Sequence, residues 1–173
     1  SLQIANSMPI RDAEWFWKPS HSNRKLFGNR GVNGIDGSIS TSLGIAHLRE
    51  EPTFLLIGDL AFLHDCNALL FRKIFKGSLT IFLINNDGGG IFENLSVSKV
   101  PEFEKCFATP QSCDFSTLCD AHEVDYKKPV NWEEVVRLIE NPIKCGIRVI
   151  EIHTNRKKDR EIRSSFLSLC PEF

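Results

Sequence analysis

Asp59 and Asn86 are the two residues of this chain best suited to act together on a ligand. Asp59 stands in Gly58-Asp59-Leu60 and Asn86 in Asn85-Asn86-Asp87-Gly88-Gly89-Gly90, with 24 residues (61–84) between the motifs. A carboxylate, an amide oxygen and a glycine turn able to lend a backbone carbonyl are hard oxygen donors. They suit Mg²⁺ or Ca²⁺, and Mg²⁺ commonly takes few protein oxygens and completes its shell with phosphates. A helix beginning at Asp59 would aim free N–H groups at the same place, which favours a phosphate. The chemistry indicated is a metal-bound diphosphate. Asn-Asp-Gly by itself is ordinary turn composition, so the spaced pair of motifs carries this reading.

The elements that must position these residues are legible on either side. Thr53-Phe54-Leu55-Leu56-Ile57 and Leu79-Thr80-Ile81-Phe82-Leu83-Ile84 are apolar, partly β-branched runs of buried-strand length. Between them, Phe62 to Phe71 has apolar residues at helical spacing, with Gly77 as a stop. Strand, helix and strand make one βαβ unit. A right-handed crossover puts both strand ends on one edge of a parallel sheet, and open α/β sheets bind ligands at that edge.

Three further stretches, Gly28-Asn29-Arg30-Gly31, Gly34-Ile35-Asp36-Gly37 and Asn86-Asp87-Gly88-Gly89-Gly90-Ile91-Phe92, join this pattern, as does Leu60 after the aspartate. The whole resembles the thiamin diphosphate-dependent enzymes, and within them the 2-succinyl-5-enolpyruvyl-6-hydroxy-3-cyclohexene-1-carboxylate (SEPHCHC) synthase family. The resemblance implies a single thiamin diphosphate-binding domain over 1–173, the C-terminal piece of a longer enzyme. It implies an α/β fold, a three-layer αβα sandwich on a mostly parallel sheet. Asp59, Asn86 and the Gly88 carbonyl would hold Mg²⁺, or Mn²⁺ or Ca²⁺ in its stead. Gly58, Leu60 and Ile35 would line the cofactor, Ile35 propping its bend, whereas without the resemblance Ile35 reads as helix-start packing.

By the same resemblance Arg11 and Arg30 would bind 2-oxo acid carboxylates, with Ser7 alongside, and Ile91, Phe92 and Leu95 would wall the second substrate. A guanidinium fork matches a carboxylate, whereas without the resemblance one arginine in a glycine-rich loop and one on a helix read as surface residues. The implied reaction joins a succinyl unit from 2-oxoglutarate to isochorismate in menaquinone or phylloquinone biosynthesis. No catalytic residue is expected in this segment. The activating glutamate would come from the pyrimidine-binding domain of a neighbouring subunit in a homodimer or homotetramer, so the segment alone is expected to be inactive. Two alternatives stay open: another thiamin diphosphate decarboxylase or acetolactate-type synthase, and a non-catalytic Rossmann-like module. The second lacks Gly-x-Gly-x-x-Gly and a Walker lysine.

Composition bounds the rest. A net charge of −1 with 25% charged residues gives no basic surplus for nucleic acid, and no apolar run reaches membrane-spanning length. Six cysteines without a Cys-x-x-Cys pair read as free thiols in a cytoplasmic or plastid setting. A short apolar start at Leu2–Ala5, with no leader, suggests a cut inside a longer protein. Ser7 and Pro9 open a helix to about Phe16, and Trp15-Phe16-Trp17 is either core or a surface for another domain. Residues 18–34 are expected as loop, 35–48 as helix, 91–95 as a short turn and 96–113 as irregular. Helices follow at 115–121, 132–139 (with an Asn131/Glu134 capping box) and 156–169, and strands at 123–126 and 147–152. His47, His64 and His122 are solvent-facing or packing residues on this reading.

Overall fold

The computed structural model describes residues 1–18 and 24–169. Its centre is the expected βαβ unit. Strands β3 (Thr53–Gly58) and β4 (Ser78–Asn85) are parallel, with Leu55 opposite Ile81 and Gly58 opposite Ile84. Around them lie β1 (Leu2–Ile4), β2 (Leu26–Phe27), β5 (Asp125–Lys127) and β6 (Gly146–His153). The six form one sheet in the order β2-β1-β3-β4-β6-β5, every pairing parallel. An all-parallel sheet needs cover on both faces, and the helices supply it.

Helices α2 (Ser38–Ala46), α3 (Asp59–His64) and α4 (Phe115–Ala121) send Ile39, Leu43, Phe62 and Phe115 into one apolar cluster with Leu55, Ile57, Ile81 and Leu83 of the sheet. The Phe62 and Phe115 rings meet edge to face, 5.6 Å apart, a geometry aromatic pairs favour. Helices α1 (Met8–Phe16) and α6 (Arg156–Leu167) are joined by a bidentate Arg163–Asp12 pair at 2.6 and 2.7 Å and by Phe16 against Phe166. Trp15, Phe16 and Trp17 are 39–45% exposed, so they are surface rather than core.

Several boundaries depart from the sequence reading. The expected loop at 18–34 carries β2, because Leu26 and Phe27 pair with Leu2 and Gln3; residues 19–23 of that loop lie outside the described residues. The helix expected over 62–71 is two pieces, α3 and a 3-10 stretch at Cys66–Lys73. The break falls at Asp65, whose carboxylate accepts the Ser40 N–H at 2.7 Å and the Ser40 hydroxyl at 2.9 Å. Asp65 thus satisfies a free donor in the first turn of α2, a need that its own helix cannot signal. Helix α2 starts at Ser38 after Gly37 at φ 66°, which leaves Ile35 ahead of the helix. The stretch 96–113 contains a 3-10 turn at Ser96–Lys99 and a π turn at Glu104–Ala108. The capping box of α5 (Trp132–Glu140) is half formed: Asn131 accepts the Glu134 N–H, while the Glu134 carboxylate takes the Val130 N–H instead.

Cys66, Cys106, Cys113, Cys119 and Cys145 are free. Burial pushes the Cys119 thiol up to about 12, and only the thiolate is nucleophilic. In native protein at pH 8, the exposed Cys106 and Cys145 should therefore alkylate with iodoacetamide while Cys119 stays unmodified until denaturant is added. Peptide mass mapping checks this; early labelling of Cys119 would refute the packing around it.

Candidate functional site

Asp59 and Asn86 come together as the βαβ geometry requires. Asp59 opens α3 directly after β3, and Asn86 follows the last residue of β4. They line one cleft of about 600 Å³ at the carboxyl ends of the strands, with Gly58, Leu60 and the Gly88–Gly90 turn. The Asp59 side chain is set by two backbone donors. Its Oδ1 accepts the Leu60 N–H at 2.9 Å and its Oδ2 the Gly88 N–H at 2.7 Å. Only 5% of the residue is exposed. Burial pushes the carboxyl above its ordinary range, outweighing the pull of those N–H groups, and the Asp87 charge adds to the rise.

The adjacent asparagines divide their work because successive side chains leave a strand on opposite sides. Asn85 donates from Nδ2 to buried Glu151 at 2.6 Å, and its Oδ1 accepts the Asp87 N–H. Glu151 also receives Tyr126 and His153. Burial and that carboxylate push the Tyr126 phenol well above its usual range. Asn86 lines the cleft, and its Oδ1 is buried with no hydrogen-bond partner among the described residues. A buried acceptor left unpaired costs about 1–3 kcal/mol unless a ligand supplies the partner.

The glycine turn is built for close approach. Gly88 sits at φ +133°, and a Cβ there would clash with the Ala108 carbonyl oxygen. A Cβ on Gly90 would meet Asn86 Nδ2 at 2.7 Å. The Gly88 carbonyl accepts the Gly90 N–H at 2.9 Å, which leaves its second lone pair for a cation. One carboxylate, one unpaired amide oxygen and one carbonyl fit a hard divalent cation shared with phosphate oxygens. Among the described residues no group of three or more His, Cys, Asp or Glu forms a metal cluster.

The other expected residues are placed unevenly. Ser7, Arg11, Arg30, Ile35, Ile91 and Phe92 all line the same cleft. Leu95 does not; it follows the 3-10 turn Gly90–Asn94 and is 52% exposed. Ser7 precedes α1 with φ 74° and makes no side-chain cap. Its carbonyl instead accepts Arg11 Nη1 at 2.7 Å. None of His47, His64 and His122 lines the cleft. His64 is exposed and His47 packs against Phe71 and Phe75.

Sequence reading missed Asn6, which is 2% exposed. Its Nδ2 donates to the Asn29 and Gly34 carbonyls, which turns Oδ1 towards Arg30 Nη1 at 2.8 Å. Its place just past β1, on the ligand edge, was the available signal. It also missed Thr154, Asp159 and Arg163 in the lining, which nothing local in the sequence marks. The helix start expected to receive a phosphate is present, but α3 has six residues, so its dipole is smaller than a ten-residue helix would provide.

No family model matches the chain. It is 49% identical over 166 residues to the SEPHCHC synthase of a Synechococcus strain, covering 95% of this chain and 28% of that protein. It is 51% identical over 169 residues to the SEPHCHC synthase of Trichormus variabilis, covering 96% of this chain and 29% of the relative. The matched part is C-terminal in these relatives. Along nearly its whole length the chain is thus related by sequence to the SEPHCHC synthases, while spanning less than a third of their length. An X-ray structure from Mycobacterium smegmatis, assigned as a thiamin diphosphate-dependent enzyme, shares the fold at a TM-score of 0.66 over 90% of this chain and 28% of that one, with 16% identity.

Proposed function

We infer from this kinship that the chain is the C-terminal, diphosphate-binding domain of a SEPHCHC synthase. The observation that carries the reading is the pairing of two buried oxygens on one sheet edge. The Asp59 carboxylate is held there by backbone donors, and Asn86 Oδ1 has no partner among the described residues. Asp59, Asn86 and the Gly88 carbonyl would hold a divalent metal, Mg²⁺ by preference, and through it the diphosphate of thiamin diphosphate. Bound thiamin diphosphate supplies the electron sink that lets a 2-oxo acid lose CO₂.

The chain's own residues bind, orient and exclude water. Gly58 leaves open space where a side chain would stand, so backbone can approach the cofactor. Ile35, half-buried against the core cluster, offers an apolar prop. Arg11 and Arg30 each spend one Nη1 donor on the protein and keep others for the carboxylates of 2-oxoglutarate and isochorismate. Ser7 stands beside Arg11, and Ile91 and Phe92 present the apolar wall, which Leu95 lies outside. The activating glutamate would come from a pyrimidine-binding domain across a homodimer or homotetramer interface. A cytoplasmic or plastid setting belongs to the same proposal, and no helix among the described residues is long and apolar enough to cross a membrane.

The test is a calorimetric titration of thiamin diphosphate into the full-length protein with Mg²⁺ and with EDTA. Binding is expected with Mg²⁺ and not with EDTA. Equal binding in both would mean that the Asp59–Asn86 edge does not hold the diphosphate through a metal.

A further inference from the structure

The peptide between Asp87 and Gly88 is gripped on both sides. Its N–H donates to Asp59 Oδ2 at 2.7 Å, and its C=O accepts Arg156 Nη1 at 2.7 Å. Arg156 comes from the start of α6, far along the chain, yet its side chain is only 12% exposed. The other two guanidinium nitrogens also donate. Nε donates to Glu93 Oε1 at 2.9 Å, and Nη2 to the Glu104 carboxylate. The Glu93 side chain is 5% exposed. One planar fork therefore ties the glycine turn, the 3-10 turn at 90–94 and the π turn at 104–108 to the first turn of α6. The arginine stem passes over the turn at Gly90, where a Cβ would lie 3.5 Å from Arg156 Cβ.

We propose that Arg156 is a positioning residue for the metal site, holding the Asp87–Gly88 peptide plane so that Gly88 orients the Asp59 carboxylate. The inference rests on the assignment of Asp59, Asn86 and Gly88 to a metal-bound diphosphate. Stability alone is a poor explanation of the cluster, since buried ion pairs often match apolar replacements in stability. What the cluster does supply is orientation. Gly88 at φ +133° gives a turn that few residues would select, and a peptide there can rotate unless both of its poles are engaged. A charged donor on the C=O also polarises the N–H, which strengthens its bond to Asp59. Holding groups of this kind, one step behind the ligands, commonly account for 10–100-fold in metal affinity.

The test uses the full-length protein and two variants. Arg156→Gln removes the charge and leaves Glu93 unpaired, so it can fail to fold. Arg156→Lys keeps a charge beside Glu93 and Glu104, but a single ammonium cannot reproduce the fork over three acceptors. In the metal-free protein, hydrogen exchange at the Gly88 amide should accelerate at least roughly tenfold in Arg156→Lys, with the strands β3 and β4 as protected as in wild type. At saturating thiamin diphosphate, the Mg²⁺ concentration for half-maximal binding should rise about 10–100-fold. Added methylguanidinium should restore part of it in Arg156→Gln where that variant folds.

Unchanged Gly88 exchange in Arg156→Lys would overturn the clamp whether or not metal binds. Accelerated exchange with an unchanged Mg²⁺ requirement would overturn the positioning role and leave the cofactor reading intact. Wild-type binding without Mg²⁺ would instead sink the cofactor reading, and the exchange experiment would still decide whether Arg156 holds the peptide.

Discussion

Asp59→Ala should eliminate Mg²⁺-dependent thiamin diphosphate binding by the full-length protein while leaving it folded. The carboxylate is the one formally charged oxygen ligand in the proposed set, and an amide and a carbonyl alone are weak donors for Mg²⁺. A loss of at least 100-fold in cofactor affinity at about 1 mM Mg²⁺ is the expected scale, by analogy with the cost of losing even an indirect ligand contact. The effect on stability is different in kind. Asp59 is buried, its folded-state pKa is raised, and no cationic side chain among the described residues pairs with it.

The linkage sign follows from that direction. Between the unfolded and the raised folded pKa, the native state binds more protons, so stability falls as pH rises through this interval. Above the folded pKa the loss is complete. Above the folded pKa the ionised wild-type carboxylate therefore costs stability, which the alanine variant escapes. Against this, Asp59→Ala leaves the Gly88 N–H unpaired at about 1–3 kcal/mol. The two effects oppose, so thermal melts of the metal-free proteins should lie close together while calorimetry separates them completely. Retained Mg²⁺-dependent binding in the variant would remove Asp59 from the ligand set.

Gly88→Ala should damage both the site and the fold around it. A residue other than glycine at φ +133° carries backbone strain of about 1–3 kcal/mol. The new Cβ would clash with the Ala108 carbonyl oxygen, and forcing that contact apart adds about 1–3 kcal/mol. The displaced carbonyl is the acceptor of the Gly89 N–H at 2.7 Å, so the turn would lose a bond as it moved. We expect about 3 kcal/mol of destabilisation or more, and loss of the Mg²⁺-dependent binding with it. Gly44→Ala is the internal control, because Gly44 lies exposed within α2 with open space around its Cα. That change should stabilise by up to about 1 kcal/mol from helix propensity. Urea unfolding of both variants reads the contrast, and equal midpoints would show that the turn has room the geometry denies.

How much of this was legible beforehand depends on the range of the interactions involved. The apolar runs at 53–57 and 79–84 are long, β-branched and bounded by turn residues. Parallel pairing with a right-handed crossover then leaves little choice about where Asp59 and Asn86 fall. Local chemistry was therefore enough to bring those two residues to one edge, and to mark Gly88 as a turn position. Arg11, Arg30 and Ile35 were put beside the cleft only through family resemblance, since an arginine on a surface helix or in a polar loop has no intrinsic destination.

Interactions between segments distant in sequence decided the remainder. Nothing within Phe62–Phe71 announces that Asp65 will leave its helix to serve Ser40 of α2. Nothing at Leu26-Phe27 outweighs the surrounding polar residues until β1 offers them a ladder. In the sequence Arg156 is one cation among Arg156, Lys157, Lys158, Arg160 and Arg163, and only the fold turns it inward onto Glu93 and the Asp87 carbonyl. Strand periodicity is written by nearest neighbours, whereas the partner of a buried charge is chosen by which segments the sheet brings together. The sequence alone thus determined the edge and the two side-chain oxygens proposed to bind there, and the tertiary structure determined what holds them in place.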